Sequence, residues 1–291
     1  MNALRSIQRS CALTLGNLVH RTQPLFGTRP NDKCAQLLLM LRYREMAQRG
    51  LTLPSIAEVG FRVYSQNDED GILLYLVSIA GSMGRTIVEM CVEDGVECNA
   101  ANLIVNHGWR GLLFDGSAKN IERAKRFYGR HPDTWLRPPQ IVQSWITREN
   151  VNDLLIVHGI RGEVDILSID LDGIDYWIWK RLDALNPRIV VIEYRQQWGS
   201  QASVTVPYSD TFDRGRGHPE YWGASLAALV KLGSERGYIL VGCDRTKTNA
   251  FFMRSDVMPG LIAKADPHEC TDYLEPSPGL PTGDSYPWQS V

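Results

Sequence analysis

Five short segments between residues 86 and 194 are nearly continuous apolar runs, and a helix-forming stretch separates each from the next. They are 86–92 (TIVEMCV), 111–115 (GLLFD), 140–145 (QIVQSW), 164–170 (VDILSID) and 188–194 (RIVVIEY). A strand without apolar/polar alternation is buried on both faces, as in a parallel sheet covered by helices. The intervening helices are expected at 99–107 (stopped by Gly108), from a Ser117 cap to about 128, from a Thr147 cap to 158, and at 176–182. After a loop, 225–236 reads as a helix stopped by Gly237, and 238–243 and 249–253 as strands joined by DRTKT. So short a link permits only an antiparallel pair. The expected fold is therefore α/β, a doubly wound, mostly parallel seven-stranded sheet, preceded by helices at 31–50 and 68–80. Residues 1–63 are expected as an N-terminal helical extension, 64–255 as the α/β domain, and 256–291, rich in Pro and Gly, as a wrap-around or loose tail.

Ligands of such sheets bind beyond the carboxyl ends of the strands, where strand order reverses. The first strand runs into Glu89-Met-Cys-Val-Glu-Asp-Gly95, and Gly95 sits where a positive φ or a close backbone approach is often needed. Asp115 ends the second strand, 20 residues after Gly95. A carboxylate at that spacing is placed to accept both hydroxyls of an adenosine ribose. Its other reading is a strand-end acid beside the Ser117 helix cap. NAD fits the same geometry, but the terminal antiparallel hairpin argues for S-adenosylmethionine.

The chain from 64 to 254 resembles FkbM-type and related class I S-adenosylmethionine-dependent methyltransferases, many of them found with glycan or natural-product pathways. The resemblance is carried by YSQNDEDGIL (64–73), VEMCVEDGVECNAANL (88–103), GLLFDGSAKN (111–120), LSIDLDGIDYWIW (167–179), VVIEYR (190–195), YWGASLAALVKLG (221–233) and GCDRTKTNAFF (242–252). It implies that Glu89, Cys91, Glu93, Gly95, Asn99, Asp115, Gly116, Ser117, Trp145 and Asp170 lie around the cofactor, with Gln66 and Glu69 near it. It also implies O-methylation of a small-molecule or glycan-like acceptor. The class pattern for the first turn is E-x-G-x-G-x-G. Glu89 and Gly95 match it, whereas Cys91 and Glu93 stand at the other two glycines. Glu93 is anionic where a methionine carboxylate approaches, so a methyltransferase-like scaffold that has lost the cofactor is the alternative.

Asp170, Asp172 and Asp175 follow the fourth strand, and Glu193 ends the fifth beside them. Asp170, Asp172 and Glu193 suit a hard cation such as Mg²⁺, and the related macrocin-type methyltransferases use such acids for a metal. Asp170 or Asp172 otherwise serves as a general base. Asp175 reads as a cap of the following helix. D-x-D-G also opens haloacid dehalogenase-type phosphatases, but there it sits on the first strand. D-x-D alone is a weak glycosyltransferase signal. The loop 203–223 carries Tyr208, Asp210, Asp213, Arg214, Arg216, His218, Tyr221 and Trp222, side chains suited to a polyhydroxyl acceptor, with His218 as a candidate base. Trp109, Trp177 and Trp179 read as core.

The formal net charge of -2 gives no footprint for nucleic acid. Six cysteines form no C-x-x-C pair, which points to a reducing, cytoplasmic compartment. Leu4, Ile7, Cys11, Leu15 and Leu18 recur at helical spacing among arginines. Residues 1–21 are thus a packed helix, a targeting sequence or a weak membrane-surface contact.

Overall fold

The computed structural model describes residues 33–291 apart from 215, 216, 259 and 261. The basic segment 1–21 and Arg216 lie outside the described residues. Residues 40–291 form one compact unit. Residues 56–59 form a helix packed on the sheet: a Cβ on Gly242 would lie 2.8 Å from Ile56. The tail belongs to the same unit as the sheet because its backbone is hydrogen-bonded into it, as described below.

The strands are β1 (Thr86–Met90), β2 (Arg110–Asp115), β3 (Gln140–Gln143), β4 (Gly162–Ile169), β5 (Leu185–Glu193), β6 (Val204–Thr205), β7 (Tyr238–Cys243), β8 (Asn249–Arg254) and β9 (Gln289–Ser290). Seven of them form one sheet in the order β3-β2-β1-β4-β5-β8-β7. The first five are parallel, and β8 runs antiparallel to β5 and β7. This is the layout read from the sequence. Strand order reverses between β1 and β4, which opens a crevice at their carboxyl ends.

Both faces of the sheet are covered, as continuous apolar strands require. Trp109, Trp177 and Trp179 are buried. The Trp179 ring packs on Tyr238 and Phe252, and a Cβ on Gly233 would meet it at 3.0 Å. Such a tight fit makes truncation of Trp179 cost about 3–5 kcal/mol.

β6 and β9 pair outside the main sheet, a feature the alternation pattern did not reveal. Tail contacts multiply around this pair. The Tyr194 hydroxyl donates to the Cys270 carbonyl (2.5 Å), Ser277 N–H donates to the Gln197 carbonyl (2.8 Å), and Trp288 stacks edge-on with Trp198. The described cysteines Cys34, Cys91, Cys98, Cys243 and Cys270 are free thiols. No helix among the described residues is long and apolar enough to cross a membrane.

Candidate active site

β1 ends at Met90, two residues earlier than expected, because Cys91 turns the chain with φ +69°. Cys91 and Val92 N–H both donate to the Phe114 carbonyl. Glu93 (φ +49°) and Gly95 (φ +72°) are left-handed as well. The three positions where the class pattern has glycine thus all adopt the backbone conformation that glycine favours. Only Gly95 is also sterically required: a Cβ there would lie 2.8 Å from Ala124 Cβ.

Glu89 points back under this turn. It is buried, and its carboxylate accepts from Asn99 N–H (2.9 Å), Ala100 N–H (2.7 Å) and the Ser168 hydroxyl (3.2 Å). Those bonds explain why the next helix, Ala101–His107, begins later than the expected 99. Burial raises the Glu89 carboxyl to about 7. The Asn99 side chain donates to Ser168 Oγ (3.0 Å). Glu89 and Asn99 therefore brace the turn from behind.

Asp115 is buried at the end of β2 and faces the same turn. One carboxylate oxygen accepts from Glu93 N–H (2.9 Å), the other from Ser117 N–H (2.7 Å) and Asn120 Nδ2 (3.2 Å). Asp115, expected from sequence as a strand-end ligand, is placed as the pin that fastens the first turn to the second. Ser117 caps the helix Ala118–Arg130, its hydroxyl accepting from Asn120 N–H. Burial beside Asp115 keeps the Cys91 thiol well above the usual thiol range, hence protonated.

Asp115, Gly116 and Cys91 line a narrow cavity with Ser144, Trp145 and Ile146, which follow β3, and with Leu171, Ile174 and Phe212. Gly116 lets the indole lie close, since a Cβ there would meet Trp145 Cε3 at 2.9 Å. Trp145 Nε1 donates to the Asp210 carbonyl (2.8 Å), tying the loop 203–223 to the rim. A wider cleft of about 650 Å³ adjoins, lined in part by Asp172, Asp213, Arg214 and Glu220. That size suits a small-molecule ligand.

At the β4 and β5 ends, one carboxylate oxygen from each of Asp170, Asp172 and Glu193 lies within 4.8 Å of the others. Burial first, then Asp175 and Asp172, raise the Asp170 carboxyl to about 8. Burial and the neighbouring Asp170 push Glu193 up as well, and Glu193 Oε2 is buried without a hydrogen-bond partner among the described residues. Asp172 takes φ +55° and ion-pairs with Arg214, whose guanidinium lies 4.1 Å over the Trp222 ring. Asp175 opens the helix Asp175–Arg181, but its carboxylate turns back to accept from Leu171 N–H (2.6 Å) and Gly173 N–H (3.0 Å). It closes the D-L-D-G-I-D turn rather than capping the helix.

Gln66, Glu69 and His218 are among the expected site residues that line neither cavity. Gln66 is exposed. Glu69 is fully buried and bonds Asn67 and Asn249. His218 accepts from Glu220 N–H (3.1 Å) through Nδ1 and stacks edge-on with Tyr286. Sequence reading missed Ser144, Ile146, Leu171, Ile174 and Phe212, although each lies just past a strand end or in the flagged loop.

No family model and no curated protein sequence matches the chain. Among solved structures it is similar to a methyltransferase from Streptomyces caelestis, with 14% identity, 69% of this chain and 96% of that chain covered, and a TM-score of 0.42. It is similar to a glycopeptide N-methyltransferase complexed with S-adenosylhomocysteine, at 12% identity over 68% and 93% of the two chains and a TM-score of 0.40. It is also similar to magnesium protoporphyrin IX methyltransferase from Synechocystis with bound S-adenosylmethionine, at 12% identity over 63% and 76% and a TM-score of 0.39.

Proposed function

We propose that the chain is a cytoplasmic S-adenosylmethionine-dependent methyltransferase acting on a hydroxyl of a small-molecule or glycan-like acceptor. The observation that carries this reading is the left-handed run at Cys91, Glu93 and Gly95, pinned by the strand-end carboxylate Asp115 beside the Trp145 slot. Asp115 then holds the ribose, and the slot between Gly116 and Ile146 takes the adenine.

Methyl transfer is an in-line displacement: the acceptor oxygen forms a bond to the methyl carbon as the carbon–sulfur bond breaks, and the hydroxyl proton leaves to a base. The protein mainly positions the two partners. Asp170 in its ionised form is the base that takes this proton, and burial beside Glu193 raises its affinity for it. Asp170, Asp172 and Glu193 also fit a divalent cation, since buried Glu193 Oε2 has no partner among the described residues. When bound, such a cation supplies the charge that makes an acceptor hydroxyl more acidic. The wider cleft with Asp213, Arg214 and Glu220 receives the acceptor.

A second reading, a scaffold without cofactor, is favoured by one feature. The Asp115 carboxylate already accepts three N–H hydrogen bonds and one from the Cys91 thiol. Calorimetric titration with S-adenosylhomocysteine separates the two. One saturable site per chain is expected of the enzyme, and flat heats select the scaffold.

A further inference from the structure

We propose that Asn249 is a ligand of the divalent cation site at Asp170 and Glu193, and that Glu69 positions it. The proposal builds on the reading above only in taking these strand-end carboxylates for a cation site.

Asn249 opens β8 and is the direct antiparallel partner of Glu193 on β5. Directly opposed residues of an antiparallel pair project their side chains to the same face, with Cβ atoms about 4.5–5.5 Å apart. Asn249 is 4% exposed and Glu193 is 7% exposed. Asn249 Oδ1 and Glu193 Oε2 are both buried and both lack a hydrogen-bond partner among the described residues. Two facing orphan acceptors are costly, because each has lost its water without replacement.

The amide cannot relieve this by turning over. Its Nδ2 donates to Glu69 Oε1 (3.0 Å), and a flipped amide would set Oδ1 against the Glu69 carboxylate. Glu69 is itself fixed by Asn67, whose N–H and Nδ2 donate to it at 2.8 and 3.2 Å. The Asn249 backbone is fixed too, its N–H donating to Asp244 Oδ1 (2.6 Å). The amide oxygen is thus held on the side away from Glu69. Carboxylate and amide oxygens are the ligand types that hard divalent cations take. One cation satisfies Glu193 Oε2, Asn249 Oδ1 and Asp170 together, whereas a proton on Glu193 satisfies only a single pair. Asn249 thus adds an oxygen to those of Asp170, Asp172 and Glu193, and Asp172 also ion-pairs with Arg214. The arrangement joins YSQNDED, DLDG and TKTNAFF, which are far apart in sequence, around one point.

The test is titration of the chelator-treated full-length chain with Mn²⁺, followed by electron paramagnetic resonance, with S-adenosylhomocysteine titrated separately. Wild type is expected to bind one Mn²⁺ per chain. Asn249→Leu should weaken binding about tenfold or more, while Asn249→Asp, which keeps an oxygen ligand, should retain it. Glu69→Gln leaves every ligand in place and should still weaken Mn²⁺ about tenfold, the usual effect of removing an orienting partner. The absence of saturable Mn²⁺ binding by wild type, or undiminished binding by folded Asn249→Leu, overturns the proposal. Unchanged affinity in Glu69→Gln overturns the positioning role. A chain that binds S-adenosylhomocysteine but no Mn²⁺ loses the cation site and keeps the methyltransferase reading. The converse result keeps the site and removes that reading.

Discussion

Replacing Glu93 with Gly separates the two effects of this residue, one on the backbone and one on charge. The left-handed φ of +49° costs a non-glycine residue about 1–2 kcal/mol. Glycine relieves that cost but gives up about 0.5–1 kcal/mol of unfolded-state entropy. The N–H that Asp115 accepts belongs to the main chain and is retained. The variant should therefore gain about 0.5–1 kcal/mol, roughly 1–4 °C in Tm for a domain of this size. The charge acts on ligand binding. Glu93 is exposed, so its repulsion of a methionine carboxylate about 4 Å away follows the aqueous limit of about 1 kcal/mol. Removing it should tighten S-adenosylhomocysteine about fivefold in calorimetry at low salt. The gain should vanish with an analogue that lacks the carboxylate. Equal affinity of wild type and variant refutes the charge argument and turns the Glu93 side chain away from the ligand. Weaker binding by the variant makes Glu93 a partner of the methionine ammonium.

Asp115→Ala should cost about 1.5–3 kcal/mol of S-adenosylhomocysteine affinity, and unchanged affinity in a folded variant removes Asp115 from the site. The same variant should lose about 2–3 kcal/mol of stability in urea, because Glu93, Ser117 and Asn120 lose their shared acceptor. Gly116→Ala sets a methyl 2.9 Å from Trp145 and should lower ligand affinity with little change in Tm; a clear loss of Tm would place the strain in the core instead. Burial raises Glu89 to about 7 and Asp70 and Asp175 to about 6, so the folded state holds more protons than the unfolded one. Stability is then greatest below the unfolded carboxylate values near pH 4 and falls as pH rises towards 7, with Glu89 accounting for up to about 3 kcal/mol. Glu89→Gln should flatten the difference between urea midpoints measured at about pH 5 and about pH 8, and an unchanged slope would deny Glu89 that share.

The sheet was legible because its signals are local. Buried parallel strands favour apolar runs without alternation, and most of β4 and β5 is such a run, so their order along the chain was plain. The five-residue link before β8 left one geometry for the last two strands. What escaped was nonlocal. β6 and β9 are two residues each and pair across more than eighty positions, so neither carries a periodic pattern. The prolines and glycines of the tail leave a wrap-around and a loose end equally open. It is held by single hydrogen bonds and by aromatic contacts of Trp288 with Trp198 and Tyr221, which composition does not encode. The same holds for Glu69: the sequence placed it near the ligand, whereas its partner Asn249 lies 180 residues away.

The first turn shows why a glycine pattern is an incomplete guide to such a site. Glycine at alternate positions reports two separable requirements, a left-handed φ and room for another group. At Gly95 both apply, since φ is +72° and a Cβ would strike Ala124. At positions 91 and 93 only the first applies. There the backbone is held by bonds that any residue can make: Cys91 and Val92 N–H to the Phe114 carbonyl, Glu93 N–H to Asp115. Cys91 and Glu93 therefore keep the shape of the turn at about 1–2 kcal/mol of strain each. Their departure from the class pattern says little against the fold of the turn. It bears on what the turn faces, a neutral thiol at the cavity wall and a carboxylate at its rim, and so on which end of a bound ligand this chain tolerates.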